Sequence, residues 1–506
     1  MSAQQPKSIL DAVQTHVRSR GDAEALSFYS SEHSRWCTWT WSQLWQQVEA
    51  TATNMRSQGV SSDDRIGVWL ENGCPWILTD LALQLIQCVS VPIHPATLPR
   101  QAAVHLSRAA CELLIVNNPA QSDETGLQLS CRTLPVADVL IGNGQKPKQY
   151  TPAEPDMTAV QTILFTSGTT GVSKGVELTY GNLYSNAVAA LERYDFKQDE
   201  LVLNLLPLSH VFARTCDLYV WCLNGHHMVC SRGKESFSED IKHWRPTHIN
   251  AVPVVFQNLL SIVTDKCSSL SDVTGGRLRH VNAGGALVPE PLRSAFQSNG
   301  IPMYQGYGLS ETSPVIALEG ASGTCPESVG RPLNSVEVRI KNGEIQTRGP
   351  SVMKGYLDDP ERTAAVFDGG WLKTGDLGRI DEDGFLYVDG RLDEMMVTAA
   401  GHNINPALLE SQICQEPDVA RVVVFGHGKP YLVGLIVLNS KCVESHDLLN
   451  RINNHLLAFP KYCRIHEIVV LDRDLSIEDG ELTSKQSLVR NVIAQSYASE
   501  IESMYI

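Results

Sequence analysis

The chain of 506 residues has no run of apolar residues approaching the ~18 needed to span a bilayer. The nearest, Trp76 to Cys88, is short and carries Asp80. The opening MSAQQPKSILDAVQTHVRSR lacks an apolar core of signal-peptide length. These absences predict a soluble cytoplasmic protein with no transmembrane segment and at most peripheral contact with membranes. Basic residues are outnumbered: 41 Lys and Arg stand against 56 Asp and Glu, for a net charge of −15. Such a surface argues against a broad nucleic-acid footprint, which needs clustered cations, and so against a nucleic-acid partner. A local basic pocket for one nucleotide is still compatible with it. No CxxC pair occurs. The 13 cysteines stand singly from Cys37 to Cys463, and their odd number reads as free thiols in a reducing compartment. The one local cluster, Cys222, His226, His227 and Cys230 in WCLNGHHMVC, matches no common zinc spacing and reads as helix end, Gly225 turn and strand. There is no internal repeat and no low-complexity tract.

What is present is the composition of a folded protein: 43% hydrophobic residues, 25 prolines and 37 glycines. At roughly 150 residues per domain, the length suggests about three units. The first third alternates. Thr40 to Gly59 reads as a helix, with a capping box of Thr40 and Gln43 and an apolar face of Leu44, Val48 and Met55. A strand is expected at Arg65–Leu70, a helix near Pro75–Gln87, a strand at Val89–His94, a helix near Gln101–Ala110 and a strand at Leu113–Asn117. That β-α-β-α-β order implies parallel strands with crossover helices. Pro147–Pro155 reads as a connecting loop. Further strands are expected at Leu201–Leu206, Met228–Ser231, His248–Val252 and Leu278–Ala283, with a helix at Pro289–Ser298. From Ser335 to Val388 short strands alternate with glycine turns, as in a small β unit. The character changes again near Asp389–Asp393. The expected architecture is α/β: a large N-terminal domain, 1–390, of two parallel-rich α/β subdomains and the small β unit, then a small mobile α+β domain, 391–506.

The strongest local signal is the run LFTSGTTGVSKG at 164–175. Leu164 and Phe165 end an apolar strand. Glycines at 168, 171 and 175 permit close backbone approach and unusual φ values. Hydroxyls at Thr166, Ser167, Thr169, Thr170 and Ser173 add donors, and Lys174 adds a positive charge. Polyphosphate binding needs these features together. The pattern is not GxxxxGK[ST], because Gly175 follows the lysine.

This run resembles the phosphate loop of the AMP-forming adenylating enzymes, which include acyl-CoA synthetases, luciferases and peptide-synthetase adenylation domains. Other motifs of that superfamily follow in order. Pro207-Leu208-Ser209-His210-Val211-Phe212 resembles the aromatic–histidine segment of the fatty acyl-CoA synthetases. Ala283-Gly284-Gly285-Ala286 resembles the turn beside adenine and the acyl tunnel. Gln305-Gly306-Tyr307-Gly308-Leu309-Ser310-Glu311-Thr312 resembles the adenine and magnesium motif. Trp371 to Asp376 and Gly390-Arg391-Leu392-Asp393 resemble the ribose motif and the hinge. The resemblance covers about residues 10–500. Each residue type also suits its implied role: Tyr307 offers a flat face to adenine, Glu311 is a hard oxygen ligand for Mg²⁺, and Asp376 can accept from two ribose hydroxyls. Arg391 would bind phosphate or ribose, and His210 would line the carboxylate side. Taken singly, most of these residues have ordinary structural readings; their order and company point to a site.

The resemblance implies two steps with ATP, Mg²⁺ and coenzyme A: formation of an acyl-adenylate, then displacement of AMP by a thiol. It also implies rotation of the C-terminal domain about Asp393, with Thr398–Asn405, including Gly401, lining the thiol channel. In the fatty acyl branch a terminal lysine reaches the α-phosphate from a segment like GELTPTxKLKRK. Here Gly480-Glu481-Leu482-Thr483-Ser484-Lys485-Gln486-Ser487-Leu488-Val489-Arg490 places Ser487 at that position and a lysine two residues earlier. In an extended segment side chains two apart point the same way, so Lys485 can substitute after a shift of about 6–7 Å along the chain. Otherwise adenylation is weak or lost. The expected substrate is a medium- or long-chain fatty acid, on the strength of LPLSHVF and GELT. The alternatives are a ligase that loads a separate carrier-protein thiol and a degenerate nucleotide- or adenylate-binding homologue. Val252–Leu259, His210–Arg214 and Gly284–Leu287 are expected to shape the acyl tunnel.

Overall fold

A computed structural model describes residues 6–118, 131–140, 148–166, 173–194, 196–197, 199–265, 269–320, 323–439, 445–482 and 488–505. The chain forms two compact units. One comprises Met1–Arg339, Gln346–Leu372 and Ile380–Tyr387; the other comprises Ile340–Ile345, Lys373–Arg379 and Val388–Ile506.

The first unit is built on two sheets. Across the seven-stranded sheet lie Gly355–Tyr356, Lys174–Thr179, Val160–Thr166, Val89–Pro92, Arg65–Trp69, Leu113–Val116 and Arg132–Pro135. The middle of this sheet is the parallel β-α-β-α-β run read from the sequence, with helices Cys74–Leu85 and Pro99–Arg108 as crossovers. Its strands are near-continuous apolar runs, as burial on both faces requires. The nine-stranded sheet runs Arg331–Pro332, Val315–Leu318, Met303–Gly308, His280–Ala283, His248–Ala251, Leu201–Asn204, His227–Cys230, Glu24–Ser30 and Arg35–Thr40. The hairpin of its last two strands was not expected. Helix Trp41–Ser57 follows it, with the reciprocal Thr40–Gln43 cap in place.

The chain from Val211 to Asn224 ties the two sheets together. Trp221 donates its indole N–H to the Ala25 carbonyl of one sheet (3.1 Å), and Gln161 of the other donates to the Tyr219 hydroxyl (2.8 Å). Within it, Arg214–Tyr219 is a wider, i→i+5 helical turn that brings the first and last side chains onto one side. Helix Val220–Asn224 ends at Gly225, in the left-handed region with φ +74°, and the strand His227–Cys230 begins, as WCLNGHHMVC implied.

In the second unit, Val419–Phe425 pairs antiparallel with Leu432–Leu438, which pairs parallel with Ile465–Val470. This sheet is apolar on both faces. Val422, Val424 and Ile436 pack with Ile413, Leu448 and Ile452, while Val423 and Leu435 pack with Leu475, Ile493 and Met504. Among the described residues no helix is long and apolar enough to cross a membrane.

Candidate active site

Ligands of open α/β sheets gather at the carboxyl ends of parallel strands, and three segments, two of them singled out by motif, leave such ends in the first unit. Strand Val89–Pro92 runs on to His94, Leu201–Asn204 runs on to Pro207–His210, and His280–Ala283 runs on to Gly284 and Gly285. The His94 and His210 rings face each other, 4.6 Å between centroids. Gly284 lies beneath the Phe212 ring, and a Cβ there would stand only 3.1 Å from that ring. Gly285 has φ +79°, a conformation that suits glycine, and Ala286 beyond it is exposed.

A chain of amides runs under these segments. Asn72 accepts from the Leu208 N–H (3.0 Å) and donates to Asn204 (2.8 Å). Asn204 and Asn250 both donate to the carboxylate of Asp217, and Asn282, two residues before Gly284, donates to Asn250 (2.9 Å). Asp217 is 1% exposed. Burial pushes its carboxyl up to about 7, against the pull of the Asn250 and Asn204 amides. Arg214, expected among the tunnel residues, instead directs its guanidinium at Asp80, Ser90, Thr162 and the Tyr219 hydroxyl.

At the phosphate run, Thr166 and Lys174 are paired across antiparallel strands. Ser167, Gly168, Thr169 and Thr170 lie outside the described residues. Ser173, just before Lys174, is braced from helix Pro99–Arg108. His105 pairs with the Ser173 hydroxyl (3.0 Å), Arg108 donates to the Ser173 carbonyl, and the His105 ring stacks on Phe165 at 4.4 Å. Burial, helped by Arg108, lowers the His105 pKa to about 4, so the imidazole is neutral near pH 7. The Lys174 ammonium lies over the Tyr356 ring, 5.4 Å from its centroid, and the Tyr356 hydroxyl donates to Glu311 Oε1 (2.9 Å). Lys174 and Glu311 are thus brought to one place.

Gly306 and Tyr307 lie on strand Met303–Gly308, opposite Leu318 and Ala317. A Cβ at Gly308 would collide with the Pro314 carbonyl, so only glycine fits this close strand approach. Ser310–Thr312 is a short 3₁₀ turn. The buried Thr312 hydroxyl accepts from the Leu309 N–H (3.0 Å). Asn186 donates to the Thr312 and Val315 carbonyls and accepts from the Val315 N–H, fixing the turn that carries Glu311.

The remaining residues belong to the second unit. Asp376 is buried and accepts from Arg391 (3.0 Å), which also donates to Asp393 (3.2 Å) and the Thr374 carbonyl. Gly375, φ +72°, receives Glu344 at its N–H (3.0 Å). Gly401 sits at φ +83° in the turn between Met396–Val397 and Asn403–Ile404, with nothing within 4 Å of an added Cβ. Lys485 and Ser487 lie outside the described residues. The ends that flank them, Leu482 and Leu488, pair antiparallel. Those ends are anchored by two ion pairs, half-exposed Arg473 with buried Glu481 (2.7 Å) and Arg490 with Glu410 (2.7 Å).

The AMP-binding enzyme model matches residues 13–357, and the AMP-binding enzyme C-terminal domain model matches 393–506. The chain belongs to the AMP-binding enzyme family. It is 27% identical to the long-chain-fatty-acid–CoA ligase FadD15 of Mycobacterium bovis, over 98% of this chain and 96% of that one. Among solved structures it resembles o-succinylbenzoate CoA synthetase (MenE) from Bacillus subtilis in complex with the acyl-adenylate intermediate OSB-AMP. That match has 25% identity and a TM-score of 0.81, over 96% of this chain and 97% of that one. The same synthetase in complex with ATP and magnesium ion matches at 25% identity and a TM-score of 0.79, over 95% and 98%.

The described residues of this AMP-binding enzyme fit ATP with a divalent cation. Glu311 engages the protein through Oε1, while its Oε2 accepts no hydrogen bond among the described residues. At Gly285, where an added Cβ would meet only Val252 at 3.7 Å, the backbone is open to close approach. The motifs did not expose Tyr356, His105, Asn72, Asn186 or Asp217. Each is a single polar residue in an unremarkable stretch, and the fold alone supplies its partner.

Proposed function

We propose that this AMP-binding enzyme activates a medium- or long-chain fatty acid as its acyl-adenylate and passes the acyl group to the thiol of coenzyme A. The observation that carries this reading is the meeting of Lys174 and Glu311 around Tyr356, in a unit that also brings His94 against His210 and Phe212 over Gly284. A carboxylate oxygen attacks the α-phosphorus, and the bond to the β-phosphate breaks with loss of pyrophosphate. The thiol sulfur then attacks the acyl carbon, the bond to AMP breaks, and the thiol gives up its proton. The first step brings two anions together, and at ~4 Å with an effective dielectric near 20 each such pair repels by about 4 kcal/mol.

Lys174 lowers that repulsion from the phosphate side, together with Thr166, Ser167, Gly168, Thr169 and Thr170. Glu311 would hold a magnesium ion, which would add positive charge beside the phosphates. Gly284, Gly285, Ala286, Gly306, Tyr307, Gly308, Ser310 and Thr312 form the adenine side, and Asp376 and Arg391 take the ribose. His210 faces the carboxylate. The C-terminal domain, 391–506, turns about Asp393, and the Gly401 turn then lines the thiol channel. Lys485 serves as the catalytic lysine in place of Ser487. The fatty chain is favoured by LPLSHVF and by the FadD15 likeness over nearly the whole chain.

The test is pyrophosphate release from a panel of fatty acids of increasing length and o-succinylbenzoate, with and without coenzyme A, in wild type and Lys485→Ala. Turnover with fatty acids, stimulated by coenzyme A and lost in the variant, is expected. Preference for o-succinylbenzoate replaces the substrate class. Turnover only with an added carrier protein replaces the acceptor. Unchanged activity in Lys485→Ala removes that lysine from the mechanism. No activity with any acid leaves a degenerate nucleotide-binding homologue.

A further inference from the structure

Among the described residues no ion pair joins Lys174 to Glu311. Tyr356 stands between them: its ring underlies the ammonium at 5.4 Å and its hydroxyl bonds Glu311 Oε1 at 2.9 Å. An ionised carboxylate only accepts, so the phenol is the donor here. The tyrosine is 7% exposed and is held from several sides. Its N–H donates to the Thr363 hydroxyl (2.9 Å), and its backbone is in register with Val176. On the same short segment the Lys354 N–H donates to the Glu177 carbonyl, the Leu357 N–H to the Gly175 carbonyl, and the Met353 N–H to the Glu311 carbonyl. The strand that starts at Lys174, the tyrosine and the glutamate turn are therefore one backbone-clamped piece.

We propose that Tyr356 is a positioning residue for the metal site. It occupies Oε1 of Glu311 and so presents Oε2 to the cation of the bound nucleotide, and its ring keeps Lys174 from neutralising that carboxylate. This inference rests on the reading of Glu311 as the magnesium ligand. A hydrogen bond from a neutral hydroxyl to a charged oxygen is strong enough to set a side-chain rotamer. Losing it leaves the carboxylate free to turn toward the lysine.

The experiment uses the full-length protein and the variants Tyr356→Phe, Tyr356→Leu and Glu311→Gln. Mn²⁺ binding is read by electron paramagnetic resonance with a non-hydrolysable ATP analogue. Binding of that analogue in EDTA is read by calorimetry, and pyrophosphate release is followed in parallel. Tyr356→Phe is expected to raise the Mn²⁺ concentration for half-saturation about five- to tenfold, as loss of one charge-assisted hydrogen bond implies, while metal-free binding stays within about twofold. Tyr356→Leu is expected to weaken metal-free binding as well, because Lys174 loses the ring beneath it. Glu311→Gln is expected to abolish the metal dependence. The proposal is overturned if Tyr356→Phe titrates like wild type, or if it weakens metal-free and metal-bound binding equally, as a packing defect would. A wild type that loads Mn²⁺ and the analogue but releases no pyrophosphate with any acid refutes the fatty-acid reading and leaves the tyrosine's role standing. A wild type with no metal-dependent nucleotide binding refutes both.

Discussion

Arg214 and Asp217 stand three residues apart on one wide helical turn, are 0% and 1% exposed, and are satisfied by opposite means. Arg214 faces the seven-stranded sheet, where Ser90 and Thr162, together with Asp80 on the crossover helix Cys74–Leu85, receive its guanidinium. Asp217 faces the other sheet and meets no cation among the described residues; amides of Asn204 and Asn250 hold its carboxylate. The first arrangement joins a helix to a sheet. The second extends, through Asn72 and Asn282, to the backbone of Leu208 and to the strand that leads into Gly284, both beside the candidate acyl site. A charge–charge pair leaves little to tune. An amide-held carboxyl sits where a proton can be gained or lost near neutrality. The two sides of this turn differ as scaffold and site support differ.

The largest expected effect tests the scaffold side. Arg214→Met leaves Asp80 buried without its cation, which costs about 3–5 kcal/mol. Urea unfolding should register this as a fall in midpoint with little change in slope. Arg214→Met with Asp80→Leu should recover much of the loss, since replacing both partners removes the uncompensated charge. A double variant no more stable than the single would mean that the hydroxyl partners, not the ion pair, carry the junction.

On the other side, Asp217→Asn is expected to cost about 1–3 kcal/mol, because an amide there must turn a donor toward one of the two amide donors. Its pH signature separates the two regions better than its size. The folded carboxyl holds its proton up to about 7, whereas an unfolded aspartate releases it near 3.9. Between about pH 4 and 7 the folded state binds more protons, so Asp217 makes stability fall as pH rises. His105, lowered to about 4, and His226, lowered to about 3, act in the opposite sense, so the informative quantity is the difference between variant and wild type. Unfolding free energies at pH 5 and pH 8 should show that Asp217→Asn removes a component that favours the lower pH. A difference that does not change with pH would place the proton elsewhere.

Much of the scaffold was legible in the sequence. Period and capping located helix Trp41–Ser57, and the β-α-β-α-β alternation gave the parallel strands of the seven-stranded sheet. The glycine motifs marked the segments at the strand ends. The hairpin Glu24–Ser30 and Arg35–Thr40 was missed because its membership in the nine-stranded sheet depends on a parallel partner at His227–Cys230, some two hundred residues away. The supporting polar residues were missed for the same reason. Tyr356 meets Glu311 across 45 residues, His105 meets Ser173 across 68, and Asn72 meets Leu208 across 136. Local pattern carries no record of such meetings. A motif is visible because its chemistry is contiguous, whereas the side chains that position it are assembled by topology.

Asn72 is the far end of the amide-held side. Removing it should leave the Leu208 N–H and the Asn204 side-chain oxygen Oδ1 each short of a partner. Asn72→Ala is expected to cost about 1 kcal/mol in stability. The larger consequence should fall on the acid substrate, with kcat/KM for the acid reduced about tenfold and the KM for ATP little changed, because the loosened segment carries His210 and not Lys174. Equal losses for both substrates would show that the chain of amides supports the whole unit.

The smallest expected effect is also the most selective. Gly284 has ordinary backbone torsions, so only space opposes a side chain there, and the nearest obstacle is the Phe212 ring at 3.1 and 3.2 Å. A ring edge can give by a few tenths of an ångström, so Gly284→Ala should cost less than about 1 kcal/mol. That ring belongs to the segment Asn72 steadies, and displacing it would change the shape of the proposed acyl site without touching Lys174, Tyr356 or Glu311. Across a series of fatty acids, the variant should shift the preferred chain length while leaving the metal titration unchanged. If the preference stays fixed while turnover falls uniformly, Phe212 and Gly284 border the nucleotide and not the acyl chain, and the amide-held side supports adenine binding.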